Sequence, residues 1–484
     1  MKNRLLILIP ILSMFASCSD DITGLNTDTK RPTTTNADYL FTNAEHALVD
    51  QVTSTSVNVN VFRLYAQQWT EVQYPQESQY DFSRLIPDTH WNVYYRDVLR
   101  DLKESKDMLT AEKAGANAAT AAVIDNKIAI IDILSIYSYN VLVDTFGDIP
   151  YTEALNIIDH PLPKYDDAQT IYRDLLLKLN AASDALDANT ASFGDADLVY
   201  GGNAGAWAKF ANSLRLRMAI NMHDVDPAYA STEAVAAIAD GIFTSSADST
   251  YMTYAGTQPN ANPLYVDLVA SGRNDFLPAN TFVNKLNDLQ DPRRPKFFTL
   301  YDDGTYKGGI YGALNTYGSF SHLTETIKSP TYPGVLFTYS EVEFLLAEAA
   351  ERGIPVVGSA ATHYNAAITA SMQDWGVASA DIVAYLGRPD VSYTLNTNSW
   401  KQKIGEQAWI AYFNRGFEAW TSYRRLDYPV LSAPTITFNN LKEVPKSYPY
   451  PNKEKTVNAT NAQAAIAKSG GKDVGITKVF WDKF

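Results

Sequence analysis

The groups that could make or break bonds in this chain are few. There is one cysteine, Cys18, and six histidines, His46, His90, His160, His223, His322 and His363. The histidines are scattered, with no HExxH or comparably close pair, so nothing indicates a zinc site. No GxSxG elbow, P-loop or GxGxxG is present. With 54 acidic residues a glycosidase-like carboxylate pair can always be drawn, but no spacing singles one out. The expectation is therefore no catalytic residue, no metal and no cofactor. Asp302-Asp303-Gly304 fits a turn better than a calcium loop, which needs further oxygen ligands. Glu341, Glu343 and Glu348 share a helical stretch. Glu341 is read as a capping residue and the other two as helix-surface or pairing charges. Arg424-Arg425 could grip an anion, but pairing with acids inside a scaffold is the better reading.

Aromatic residues are the positive signal, with 30 tyrosines and eight tryptophans. A sugar ring offers C–H groups on its face and hydroxyls at its edge, which aromatic faces and polar side chains respectively match. Millimolar affinity needs about 4 kcal/mol. A single stacking contact gives only about 1 kcal/mol, so several platforms must converge. Trp91, Trp207, Trp375, Trp409, Trp420 and Trp481 sit in framework-like motifs and are expected in the core, leaving Trp69 and Trp400. Trp69, Tyr74 and Tyr80, among Gln67, Gln68, Gln73 and Gln79, form one candidate ligand-binding group. Tyr306, Tyr311 and Tyr317, in a Gly-rich stretch, form another. The competing reading, which the residues favour, is packing or partner docking for the first group and a self-packed loop for the second.

These residues need a frame, and helical periodicity supplies one. A helix starts near Asn36 and carries Leu40, Ala44, Ala47 and Leu48. Pro75 and Pro87 bracket a loop. An amphipathic helix is expected from Trp91 to Leu109. A nearly all-apolar helix from about Ala118 to Asp144 reads as buried and central, stopped at Gly147 and Pro150. Asp166-Asp-Ala-Gln169 resembles a capping box for a helix carrying Ile171, Leu175, Leu179, Ala182 and Leu186. Asn203 caps a helix carrying Trp207, Phe210, Ala211, Leu214 and Met218. Thr338-x-x-Glu341 is a second capping box, and a partner helix follows from about Ala361 to Trp375. A last helix or helix pair runs from Lys401 to Arg425. Only Pro278 to Leu289 looks helical between Thr244 and Pro333, and the chain after Pro429 reads as loop.

The N-terminus carries its own message. Lys2 and Arg4 precede an apolar run, Leu5 to Phe15, too short for the about 20 residues of a spanning helix. This is the layout of a secretory signal peptide. Phe15-Ala16-Ser17-Cys18 resembles the lipobox of bacterial lipoproteins, so Cys18 is the expected lipidation site. Ser19-Asp20-Asp21 resembles the export signal of Bacteroidetes surface lipoproteins. The expected layout is a signal peptide at 1–17, lipid anchor and tether at 18–36, and a single domain at 37–484 with a loop-rich insertion at about 244–333. The net charge is −14, and more negative once Lys2 and Arg4 are removed. That balance argues against nucleic acid as a partner and against electrostatic adhesion to an anionic membrane.

Several stretches then resemble one family in order along nearly the whole chain. They are Leu25-Asn-Thr-Asp28, Asp144-Thr-Phe-Gly-Asp-Ile-Pro-Tyr151, the 202–217 segment with Trp207-Ala-Lys-Phe-Ala-Asn-Ser, Asp291-Pro-Arg293, Tyr339 to Ala350, and Gln407-Ala-Trp through Phe417-Glu-Ala-Trp420, Arg424-Arg425 and Tyr428-Pro429. They are similar to motifs of the SusD/RagB family of nutrient-binding outer-membrane lipoproteins. One departure is Lys446, where the family carries an arginine that a lysine cannot replace in a bidentate contact. The resemblance implies a mainly α fold of tetratricopeptide-like helix pairs with a loop-rich face carrying few short strands. It implies no enzyme. It implies binding of oligosaccharides, with peptides as the alternative and surface glycoside hydrolysis as a further rival. It also implies a SusC-like TonB-dependent transporter as partner, with this protein as its lid, lipid-anchored and exposed at the surface of the outer membrane.

Overall fold

The computed structural model describes residues 35–484, so Cys18, the leader and most of the tether lie outside the described residues. Helices dominate, and the strands among the described residues are four segments of three or four residues. The framework is a series of neighbouring helix pairs. Ala118–Phe146 packs on Ala168–Asp184, Ala204–Met222 on Pro227–Asp240, and Tyr339–Glu351 on Ala360–Asp374. Each pair buries the apolar stripe of one helix against the next, and one continuous core runs through Ala37–Phe484. This is the tetratricopeptide-like arrangement expected. Among the described residues no helix is long and apolar enough to cross a membrane.

Local chemistry sets many of the helix ends. Asn117, Asn203, Thr338 and Ser399 each accept a hydrogen bond from the N–H three residues on, which satisfies a donor the helix itself cannot. The central helix stops at Gly147, whose φ of +86° lies where side-chain-bearing residues are strained. Its second half is buried nearly all round, as its Ile, Val, Leu and Tyr content demands.

Several boundaries differ from the sequence expectation. The helix before Asp184 is capped by Asp167, which accepts from the Thr170 N–H. Asp166 instead accepts from the Tyr151 and Thr152 N–H groups and pins the turn after the central helix. Pro87 opens a helix, where its missing N–H costs nothing. The segments Ile86–Asn92, Val93–Leu99 and Arg100–Lys113 run on from one another, the middle one a wider π-helical turn. The helix Pro227–Asp240 was not expected, although Asp226 caps it and Pro227 stands at its first position. Ser379–Leu386 and, in the supposed loop after Pro429, Asn452–Val457 and Ala459–Lys468 are also helical.

The expected Lys401–Arg425 element is two helices, Trp400–Ala411 and Gly416–Leu426. They part at Asn414, held at φ +68°. Gly416 follows because a Cβ there would lie 2.3 Å from the Arg63 backbone nitrogen.

The second face is loop-rich. Strand β1 (Trp69–Glu71) and β2 (Thr250–Met252) are short, as are β3 (Phe276–Pro278) and β4 (Gly334–Phe337). β1 pairs antiparallel with β3, placing Trp69 opposite Pro278 and Glu71 opposite Phe276. β2 pairs antiparallel with β4, with a register shift between Thr250 and Tyr251. Inside the 244–333 stretch the helix spans Asn280–Asp288, joined by the short turns Pro263–Tyr265, Val266–Ala270 and Arg294–Phe297. Asp302-Asp303-Gly304 is a turn, closed by the Tyr301 N–H donating to the Thr305 carbonyl.

Candidate functional site

The β1–β3 ladder decides which loop residues meet. It continues one step beyond the strands, where the Val72 N–H donates to the Asp275 carbonyl (2.9 Å). The chain leaving β1, Val72-Gln73-Tyr74, therefore lies beside the chain entering β3, Arg273-Asn274-Asp275. A third strand of chain is tied to them by Asn315. Its N–H donates to the Val72 carbonyl (2.8 Å), and its side-chain amide donates to the Glu71 carbonyl (3.0 Å). That lock brings Thr316 and Tyr317 to the same edge.

The result is a two-part surface depression. One part, about 490 Å3, is lined by Gln73, Tyr74, Arg273, Asn274, Asp275, Asn315 and Tyr317 among others. The other, about 250 Å3, shares Tyr74, Arg273 and Asp275 and adds Ser56, Asn58, Glu71, Arg84 and Phe276. Tyr74 is 53% exposed. The half-buried Tyr317 ring stacks on His322, with centroids 4.0 Å apart, so one of its faces is braced. Arg273 pairs with Asp275 two residues on (2.5 Å). This pair of donors and acceptors borders the Tyr74 ring.

Beneath the depression sits an acid pair. Glu71 accepts from the Ser78 N–H (2.8 Å), and Glu77 pairs with Arg84 (2.6 Å). Burial, then the hydrogen bond and repulsion from Glu77, push the Glu71 carboxyl up to about 9. Near neutral pH Glu71 thus keeps its proton, beside the contact of Glu77 with Arg84. Their evident role is to hold the 72–80 turn.

The sequence candidates separate cleanly. Tyr74 and Tyr317 share the depression. Trp69 is 1% exposed and packs on Phe276 and under Arg63. Tyr80, held at φ +65°, is buried against Tyr65. Tyr311 is buried with its hydroxyl donating to the Leu64 carbonyl (2.7 Å). These three are buried and line neither part of the depression. Tyr306 is half-buried under Arg294 and lines neither part of the depression. Trp375, expected in the core, is only half-buried. Sequence reading passed over Arg84, Arg273, Asn274 and Asp275. Their only signal was a polar run ahead of Phe276, which nothing local links to Tyr74.

The acids of the Tyr339–Glu351 helix also depart from expectation. All three are buried. Glu341 does not complete the capping box, since its carboxylate goes to Arg415 (2.6 Å) and Arg217 (3.3 Å). Glu343 meets His363 Nδ1 (2.7 Å), and Glu348 pairs with Arg425 and Arg352. Arg425 thus pairs inside the scaffold, as expected. Arg424 does not. It donates to the Asp144 and Lys446 carbonyls and lies between the rings of Trp420 and Trp481. Among the described residues no group of three or more His, Cys, Asp or Glu could hold a metal ion.

A groove of about 1330 Å3 lies over the Ala118–Phe146 and Ala168–Asp184 helices. Its lysines and aspartates neutralise one another, as in Lys106–Asp132 and Lys178–Asp174. Its Tyr151 ring is already covered by Lys178 and the edge of Tyr139. It offers no free aromatic face, whereas the loop depression does.

Comparison with known proteins agrees with this architecture. The SusD-like family model described as starch-binding and associating with the outer membrane matches residues 29–451. Among solved structures, the chain is similar to a chitin-binding protein, at 27% identity and a TM-score of 0.79, covering 93% of this chain and 100% of the other. It is also similar to a SusD homologue from Bacteroides uniformis, at 25% identity and a TM-score of 0.77, covering 92% and 100%. A chitin-binding SusD homologue from Flavobacterium johnsoniae, at 23% identity and a TM-score of 0.76 over 92% and 98%, shares the fold. No curated protein sequence matches significantly.

Proposed function

The chain belongs to the SusD-like family, and from that premise we propose that it is a surface lipoprotein that binds nutrient oligosaccharides at the depression lined by Tyr74 and Tyr317. The observation that carries this reading is an exposed tyrosine face ringed by Gln73, Arg273, Asn274 and Asp275. The Tyr74 ring takes the C–H face of one sugar unit and Tyr317 supports a neighbouring one. The amides, carboxylate and guanidinium take the hydroxyls. No bond is made or broken. Captured glycan passes to a SusC-like TonB-dependent transporter for which this protein is the lid, and lipidation at Cys18 holds it at the outer membrane. Burial of acyl chains contributes about 0.8 kcal/mol per CH2, and more than one chain gives stable anchoring.

The test is calorimetry with starch- and chitin-derived oligosaccharides and with a peptide pool. Wild-type protein should bind a glycan. Tyr74→Ala should weaken that binding by about tenfold, the equivalent of one stacking interaction. Binding of peptides alone overturns the glycan reading. Release of any enzyme-dependent product on prolonged incubation with polysaccharide overturns the non-catalytic one. Co-purification with an outer-membrane transporter tests the partner, and loss of Cys18→Ala protein from the membrane fraction tests the anchor.

A further inference from the structure

A second cavity lies away from the loop depression and shares no lining residue with it. It measures about 570 Å3, within the range of sites that enclose small molecules. Three parts of the fold build it. The β2–β4 ribbon sets Tyr251 opposite Val335. Both are half-buried while Thr250, Met252 and Leu336 point inward, so these two side chains form one wall. Trp375, just past the end of the Ala360–Asp374 helix, and Phe413, at the bend between the last two long helices, form the other. Tyr332 and Pro333, leading into β4, close the side, and Thr253, Thr326 and Asp374 stand exposed at the mouth.

The floor fixes the ligand class. Arg415 lines it, with Nη1 donating to Thr338 Oγ1 (3.1 Å) and Nη2 to Glu341 Oε2 (2.6 Å). Its Nε–H is buried and has no partner. The charges themselves are already balanced. Arg415 and Arg217 face Glu341 and Glu418 at 2.6–4.0 Å. A charged ligand would find no free counter-charge there, and an unpaired buried charge is heavily penalised. The half-buried Tyr251 and Trp375 rings suit C–H faces, and the threonines and Asp374 at the mouth suit hydroxyls.

We propose that this cavity is a second binding site, for one or two units of a neutral sugar. The loop depression reads an extended glycan across an open surface, whereas this cavity encloses a short piece or a chain end. The inference does not depend on the depression binding anything.

The test is saturation-transfer NMR with a panel of neutral mono- and disaccharides: glucose, maltose, N-acetylglucosamine and chitobiose. Four proteins are compared: wild type, Tyr74→Ala, Trp375→Ala and Thr253→Tyr. Thr253 is exposed, so the last variant keeps the fold while narrowing the mouth. The expected result is a signal in wild type that survives in Tyr74→Ala. Affinity should weaken about tenfold in both cavity variants, the equivalent of one aromatic stacking interaction removed or blocked. Absence of signal with every sugar, or a signal unchanged in both cavity variants, overturns the inference. If the signal disappears only in Tyr74→Ala, the cavity site falls while the loop depression stands.

Discussion

The helical scaffold and the loop face handle charge in opposite ways. In the scaffold, charged groups are buried and paired across long sequence separations. Glu348 meets Arg425, and Glu341 meets Arg217 and Arg415. On the loop face the pairs are local and exposed, as with Arg273 and Asp275 two residues apart. Long-range buried pairs fix how helices dock, because breaking one strands a charge in a low-dielectric interior. Local exposed pairs contribute little to stability and stay available to a ligand. The family-like motifs lie mostly in the first region, so they report the frame, whereas the proposed Tyr74 site lies in the second.

The sharpest way to break this contrast is Glu348→Ala. It leaves Arg425 and Arg352 short of their shared carboxylate and should cost about 3–5 kcal/mol in chemical denaturation. A loss under about 1 kcal/mol would mean that the scaffold tolerates unpaired charge as the surface does. Trp69→Ala should cost about 3 kcal/mol or more as a core cavity. A near-neutral result would return Trp69 to the loop face.

Glu71 tests the boundary between the regions by pH. An unfolded glutamate ionises near about 4.3, but Glu71 in the fold does so at about 9. Between those values the folded state holds a proton that the unfolded state has lost. The contribution is therefore full below about 4.3 and is lost as pH rises through the window. Glu71→Gln keeps an acceptor for the Ser78 N–H and should flatten the decline in melting temperature from pH 5 to 9. Equal slopes in both proteins would place Glu71 in contact with solvent.

Lys446→Arg should stabilise by about 1 kcal/mol. Lys446 Nζ now lies 4.0 Å from Asp482, whose buried carboxylate oxygens have no hydrogen-bond partner, and a guanidinium could reach both. A destabilised variant would show that the ring of Tyr423, 4.9 Å from Nζ, leaves no room. The smallest effect is Tyr74→Ala, which should move stability by no more than about 0.5 kcal/mol while weakening glycan binding. A large stability loss would make Tyr74 a structural residue like Trp69.

Much of the frame was legible because its causes are local. Asn203 caps its helix with its own side chain, and Gly147 ends one by its own φ. Where a local rule admits neighbours it slipped by one, as with Asp166 and Asp167. The helices Asn452–Val457 and Ala459–Lys468 were hidden by Pro445, Pro449 and Pro451, which stop before the helices begin. The site was half legible. Tyr74 and Tyr317 were named from type and setting, but so were Trp69, Tyr80 and Tyr311, which are buried.

What the sequence determined by itself is the class of frame. Periodicity, caps and aromatic content are properties of adjacent residues, and each acts through its own turn of chain. Only the tertiary structure decided which aromatic faces are free. Tyr74 and Trp69 are five residues apart in one segment, yet one faces water and the other faces Phe276. That outcome depends on the pairing of β1 with β3 and on the Asn315 lock, contacts whose partners lie far along the chain. Exposure is a property of what packs against a residue, and no local pattern carries it.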